Sequence, residues 1–200
     1  MRGRRGVLLV LAGTSGAGKG TIGARLRAQD PRLHWSVSWT TRAPRQGERD
    51  GVDYHFVTRE EFEALRDAGG FLEWFDVYGD LKGTPNRFVI DELAAGHDVM
   101  LEVDVQGALA VKRRVPEALL VFVKAPSRAE QRRRLEERGS EDAATIDRRL
   151  HEAEHEERLA EAEFNRVVVN DDLNRAVREV AGILEDRRRA ASAGSTTEGD

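Results

Sequence analysis

Four short apolar runs punctuate this chain, at residues 7–12, 99–103, 119–123 and 167–169. None alternates with polar residues, so each reads as a strand covered on both faces, as in a parallel sheet between helices. Helix-start signals fall between them. Thr84-Pro85 offers a capping hydroxyl ahead of a proline at the first helical position, and Gly96 closes that segment. Thr58 with Glu61, and Ser127 with Glu130, have the capping-box spacing, in which a hydroxyl and a carboxylate satisfy the first free backbone donors. Alternating strand and helix predicts right-handed crossovers and an α/β fold. The stretch 33–82 breaks that rhythm. Its short mixed strands at 53–57 and 71–78, with Gly69-Gly70 between segments, read as an insertion on the parallel core. From Glu185 the chain turns to Arg, Ala, Ser, Gly, Thr and acid, which predicts a frayed tail.

Composition narrows the function classes. The 200 residues suit one domain and carry 32 basic against 36 acidic side chains, a net charge of −4. That balance argues against a polyanion-binding surface, so no nucleic-acid partner is expected. No apolar run is long enough to cross a bilayer, and the one after the first arginines is too short for a signal peptide, so a cytoplasmic, membrane-free protein is expected. The absence of cysteine removes disulfide, thiol and thiolate chemistry. Only Lys19, Lys82, Lys112 and Lys124 are lysines.

The strongest local signal is Gly13-Thr14-Ser15-Gly16-Ala17-Gly18-Lys19, a G-x-x-x-x-G-K loop directly after an apolar strand and before a helix-like segment at 21–29. Its glycines let backbone amides face a phosphate, the helix start adds positive potential, and Lys19 reaches the β and γ phosphates. Gly20 stands where the general pattern has a magnesium-holding hydroxyl, with Thr21 behind it. The expected Mg²⁺ is therefore held mainly by nucleotide phosphates and water, with Thr21 as a candidate hydroxyl. A second anion site is suggested by Arg42 and Arg45, which flank a stiffening Pro44 amid hydroxyls, glycines and Tyr54. Glu73 is an oddity, a carboxylate between Leu72 and Trp74, although an alternating strand would equally turn it to solvent. Glu102 and Asp104 are two apart in a predicted strand, near its carboxyl end, where parallel sheets bind ligands. Metal binding and substrate recognition are both open to that pair; Asp104 is assigned to substrate and Glu102 to neither.

Taken in order, these motifs resemble those of the guanylate kinase family over nearly the whole chain. They are the loop at 13–19, S-V-S-x-T-T-R-x-P-R at 36–45, G-x-D-Y-x-F at 51–56 and F-L-E-W at 71–74, then Gly83-Thr84-Pro85, E-V-D-V-Q-G at 102–107, R-L-E-E-R-G at 134–139 and V-V-V-N-D-D at 167–172. The resemblance implies a P-loop nucleoside-monophosphate-kinase fold within a domain spanning 1–188. Its parallel core, flanked by helices, would cover about 5–36 and 97–188. A mixed α/β GMP-binding insertion would cover about 37–84 and an arginine-rich lid about 137–149, leaving 189–200 as a disordered tail. It implies phosphorylation of GMP and dGMP by ATP with Mg²⁺, in purine nucleotide metabolism and GMP recycling, by a monomer or homodimer.

Carried over by residue, the loop from Gly13 to Thr21 would hold ATP together with Arg134 and Asn170. Lys19, Arg42, Arg138 and Arg149 would be catalytic, with Arg134, Arg138 and Arg149 closing as a lid that keeps water from the transferred group. Arg42, Arg45 and Tyr54 would hold the GMP phosphate, and Ser38, Glu73, Thr84 and Asp104 would read guanine. Guanine presents donors at N1 and N2 and an acceptor at O6, which suits carboxylates and a hydroxyl, whereas adenine reverses that edge. Arg128, Arg132 and Arg133 read as a solvated helix face paired with nearby glutamates. Lys82 departs from the family, which usually has tyrosine before the glycine at 83, and is expected to replace it at the GMP phosphate. Two other readings are a non-catalytic guanylate-kinase-like binding module and a related P-loop kinase for another phosphorylated substrate.

Overall fold

The computed structural model describes residues 5–45, 47–77, 79–139 and 142–194. Five parallel strands form the core sheet in the order β2-β7-β1-β8-β9. They are β1 (Leu8–Gly13), β2 (Leu33–Trp35), β7 (Asp98–Glu102), β8 (Leu119–Lys124) and β9 (Arg166–Val169). The four apolar runs supply four of these strands. The fifth, β2, lies within the stretch that broke the helix–strand rhythm, and pairs Leu33 with Asp98 and Trp35 with Met100.

Period-two alternation sends successive side chains of β1 to opposite layers. Leu9 and Leu11 join Ile22 and Leu26 of α1 (Lys19–Gln29) and Val177, Val180 and Leu184 of α7 (Leu173–Gly194). Leu8, Val10 and Ala12 join Val89 and Leu93 of α3 (Asn86–Ala94) and Ala108 and Val111 of α4 (Val105–Arg114). Ala160 of α6 (Ala143–Glu163) completes that second layer, and α5 (Arg128–Arg138) packs beside α6.

The inserted stretch builds a second, mixed sheet in the order β4-β3-β6-β5. Its strands are β3 (Trp39–Thr40), β4 (His55–Phe56), β5 (Phe71–Val77) and β6 (Asp80–Pro85), with α2 (Arg59–Asp67) covering them. Its core is small: Phe62, Phe71 and Leu81, with the rings of Phe62 and Phe71 stacked at 4.2 Å.

Several local expectations change. Thr58 and Glu61 complete their capping box, but Ser127 makes only half of one, because the Glu130 carboxylate is drawn to Arg133 and Arg134. Thr84 does not cap α3: Pro85 stands at the cap, and the Thr84 hydroxyl is spent on Glu73. The strand expected to carry Asp104 ends at Glu102, and Asp104 instead caps α4 by accepting from the Gly107 amide at 2.7 Å. Helix α7 runs to Gly194, well into the expected tail. Arg188 anchors it, buried and paired with Asp98 and Asp30, both at 2.6 Å. The rest of that tail, 195–200, lies outside the described residues, as does Tyr78 at the end of the expected 71–78 strand.

Candidate active site

The loop at 13–19 leaves the carboxyl end of β1 and turns into α1, whose N-cap, Gly18, adopts φ 85° and contributes no side-chain cap. The first-turn amides of α1 therefore lack a side-chain cap, the arrangement that suits an anion. Any side chain at 18 would also collide with Asn170, whose Nδ2 would lie 2.4 Å from a Cβ there. Four side chains brace the loop from behind. Gln131 donates to the Ser15 carbonyl at 2.7 Å, Asn170 to the Ala17 carbonyl at 2.8 Å, and Arg149 to the Ser15 hydroxyl at 2.7 Å. Arg134 reaches the Asn170 carbonyl at 2.9 Å and the Ala17 carbonyl at 3.4 Å. The Ser15 and Ala17 carbonyls are thus occupied by protein donors, and the Thr14 carbonyl accepts from the Ala17 amide at 3.1 Å, which fixes the shape of the loop. The Thr14 hydroxyl is buried with no hydrogen-bond partner among the described residues.

Lys19 donates to the Val103 carbonyl at 2.9 Å. Burial lowers its pKa, against the opposing pull of Glu102. The Glu102 carboxylate lies over α1, 3.3 Å from where a Cβ on Gly20 would stand, and it also approaches Gly23. That gives the departure at Gly20 a physical sense: a larger residue would crowd Glu102. Thr21 is exposed on α1 and makes no side-chain hydrogen bond among the described residues.

The inserted sheet carries the other candidates. A bulge between Phe71 and Glu73 lets Phe71, Leu72 and Glu73 all point inward, against the simple alternation that would have exposed Glu73. Glu73 is 7% exposed and accepts the Thr84 hydroxyl at 2.6 Å. Burial pushes its carboxyl above the usual range, Thr84 works against that, and Asp104 adds to it. Glu73, Phe75, Lys82, Val103 and Asp104 line one small cleft. Ser38 is buried on the segment leading into β3.

Arg42 is clamped in a two-pronged ion pair by Glu48, at 2.9 and 3.0 Å, and lies 5.5 Å above the Tyr54 ring. Lys82 donates to the Tyr54 hydroxyl at 3.2 Å, so Arg42, Tyr54 and Lys82 form one cluster. Burial alone would lower the Lys82 ammonium, but Tyr54, Asp104 and Glu73 outweigh it and hold the pKa above its ordinary value. Arg45 donates its backbone amide to Glu48 and leaves its side chain exposed. Arg138 stands exposed at the end of α5, with no hydrogen bond or ion pair among the described residues.

Four residues without an expected role belong to this site. Gln131 and Leu135, four apart, are the buried positions of the otherwise heavily charged α5, a spacing that marks its inner face. Glu156 falls between the buried Ala153 and Ala160 on α6; burial, then Asp104, lifts its carboxyl to about 7, opposed by Lys19. Glu48 lies three residues beyond the 36–45 motif, and only its pairing with Arg42 shows its purpose; that pairing holds its carboxyl below the usual range.

A glycine-rich phosphate loop on a parallel sheet, facing a smaller inserted sheet with its own basic cluster and buried carboxylate, defines a P-loop nucleoside monophosphate kinase. The family model described as guanylate kinase matches residues 5–187. A guanylate kinase of Thermus thermophilus is 50% identical over 199 residues, covering 99% of this chain and 88% of that protein. One from Nitratidesulfovibrio vulgaris is 49% identical over 186 residues, covering 92% and 89%. The crystal structure of guanylate kinase from Anaplasma phagocytophilum superposes with a TM-score of 0.75 at 32% identity, covering 92% of this chain and 86% of that one. The chain belongs to the guanylate kinase family.

Proposed function

We infer that the protein transfers the γ-phosphoryl group of ATP to GMP, and to dGMP, yielding ADP and the nucleoside diphosphate. The observation that carries this reading is the buried Glu73–Thr84 pair, with Asp104 in the same cleft as Lys82. Two carboxylates and a hydroxyl complement the N1, N2 and O6 edge of guanine, and adenine would set an acceptor against Glu73. Arg42, Arg45, Tyr54 and Lys82 take the GMP phosphate. The loop amides and Lys19 take the ATP phosphates, and Arg134 and Asn170 sit at the adenine side.

The acceptor is a phosphate oxygen that is already ionised, so it attacks the γ-phosphorus in line with no general base and no covalent enzyme intermediate. As the bond to the β-γ bridging oxygen breaks, Lys19, Arg42, Arg138 and Arg149 balance the charge spread over the transferred group. Arg149 already touches the loop through Ser15, while Arg138 reaches the reacting group when the segment about 137–149 closes as a lid. The Glu102 carboxylate beside Gly20 is a hard oxygen donor that fits Mg²⁺, which would be held mainly by phosphate oxygens and water, with Thr21 as the candidate hydroxyl. When bound, Mg²⁺ supplies charge neutralisation on the phosphate oxygens.

Among the described residues no helix is long and apolar enough to cross a membrane. A cytoplasmic role in purine nucleotide metabolism and GMP recycling, with ATP and GMP as partners and without nucleic acid, follows from the reaction and from the net charge of −4. The braced loop and Lys19 speak against a non-catalytic binding module. A coupled ADP-release assay across GMP, dGMP, AMP, CMP, UMP and IMP tests the reading. Turnover with GMP and dGMP well above the rest supports it; no turnover with GMP, or equal turnover with AMP, overturns it.

A further inference from the structure

Away from the nucleotide cleft, three side chains converge at the β2 edge of the core sheet. His34 comes from β2, Glu92 from α3, and His97 from the turn between α3 and β7. Glu92 Oε2 lies 2.6 Å from His34 Nδ1 and 2.7 Å from His97 Nδ1, and the imidazole rings are 4.6 Å apart, centre to centre. One potential donor atom from each residue falls within 4.8 Å of the others. None of the three has a part in the phosphoryl-transfer machinery. His34 and Glu92 are half-buried and His97 is exposed, so an ion from solvent can reach them.

We propose that His34, Glu92 and His97 form a binding site for a borderline divalent transition metal ion such as Zn²⁺. Two imidazoles and one carboxylate, with water as fourth ligand, make a donor set typical of zinc. Each neutral ring can carry its proton on Nε2, which frees the Nδ1 lone pair for the metal. Zinc bonds of about 2.0–2.2 Å in a tetrahedron place ligands roughly 3.3 Å apart, so the present hydrogen-bonded spacing has to open by less than an ångström. Location gives the site a consequence. The chain leaves the core sheet for the insertion just after Trp35 and returns through α3. A metal held by His34, Glu92 and His97 cross-links the exit to the return, at the root of the GMP-binding region.

The test is calorimetric titration of the full-length, nucleotide-free chain with Zn²⁺ in a non-chelating buffer. His151 and His155 are one turn apart and exposed on α6 and form a competing pair, so the titration is run on both the unmodified chain and the H151Q/H155Q variant. The expected result is one Zn²⁺ retained in H151Q/H155Q, with binding weakened in His34→Gln, Glu92→Gln or His97→Gln. The loss is at least the roughly 10- to 100-fold that outer-shell changes produce. Unchanged GMP phosphorylation by these variants without zinc shows that they fold. In the unmodified chain the imidazole NMR signals of His34 and His97 shift together on adding zinc, and the melting temperature rises with its concentration. Absence of uptake at micromolar zinc overturns the proposal. So does uptake that survives His34→Gln and His97→Gln but disappears in H151Q/H155Q.

Discussion

The two halves of the cleft are built by opposite means. The side proposed for ATP is a contiguous backbone loop at 13–19, rooted in the large core and braced through Gln131, Asn170, Arg134 and Arg149. The side proposed for GMP is made of side chains carried by strands of two to seven residues over a core of Phe62, Phe71 and Leu81. Arg42 is ion-paired with Glu48 and Lys82 donates to the Tyr54 hydroxyl, so both cations of this cluster already have protein partners. A loop with fixed amides has little to reorganise on binding. Side chains that already have partners must exchange them for a ligand, so closure and selectivity are expected on this side.

Substitutions can break that contrast, beginning with the severest. Lys19→Ala and Arg42→Ala each lower kcat/KM by about 100- to 1,000-fold or more with the melting temperature nearly unchanged, since each removes charge from the transferred group. Steady-state kinetics with both substrates varied checks this, and near-normal turnover in either variant denies the assigned role. Gln131→Ala leaves the Ser15 carbonyl without its partner. It costs about 1–3 kcal/mol of stability and raises the KM for ATP more than that for GMP. Equal effects on both KM values would mean that the brace is not specific to the donor half. Lys82→Ala raises the KM for GMP roughly tenfold, as expected for losing one charged hydrogen-bond donor, and spares ATP. An unmoved GMP KM would leave Lys82 as a partner of Tyr54 alone.

The mildest effect concerns pH. Burial lifts Glu156 from 4.5 to about 7, so the folded chain holds a proton that the unfolded chain releases. Its contribution to stability is present in full below about pH 4.5 and disappears as pH rises through about 7. Glu156→Gln flattens the decline in melting temperature across that window, measured without nucleotide. An unaltered slope would show that Glu156 ionises normally.

The same contrast explains what could be read from the chain beforehand. The phosphate loop, its strand and its helix are contiguous, so local pattern suffices for them. Four core strands were legible because both faces are buried, whereas β2 has three residues and belongs to the core only through pairing with β7. Glu73 and Thr84 meet through antiparallel pairing of β5 with β6 across a bulge, a geometry without a local signature. Asp104 was tied to a strand it has already left, because its capping bond to Gly107 depends on where α4 begins. The segment after Glu185 is poor in apolar residues, yet Arg188 finds acidic partners far away in sequence, the half-buried Asp30 and the buried Asp98. Those contacts exist only once the chain has folded.

The central proposal is that Glu73 reads guanine. Its direct test is the ratio of kcat/KM for GMP to that for AMP, with MgATP saturating, in the unmodified chain and in Glu73→Gln. The ratio is expected to be large in the unmodified chain and to fall by roughly 100-fold or more in the variant, through loss of GMP activity. A ratio near one in the unmodified chain, or one that Glu73→Gln leaves unchanged, would contradict the account.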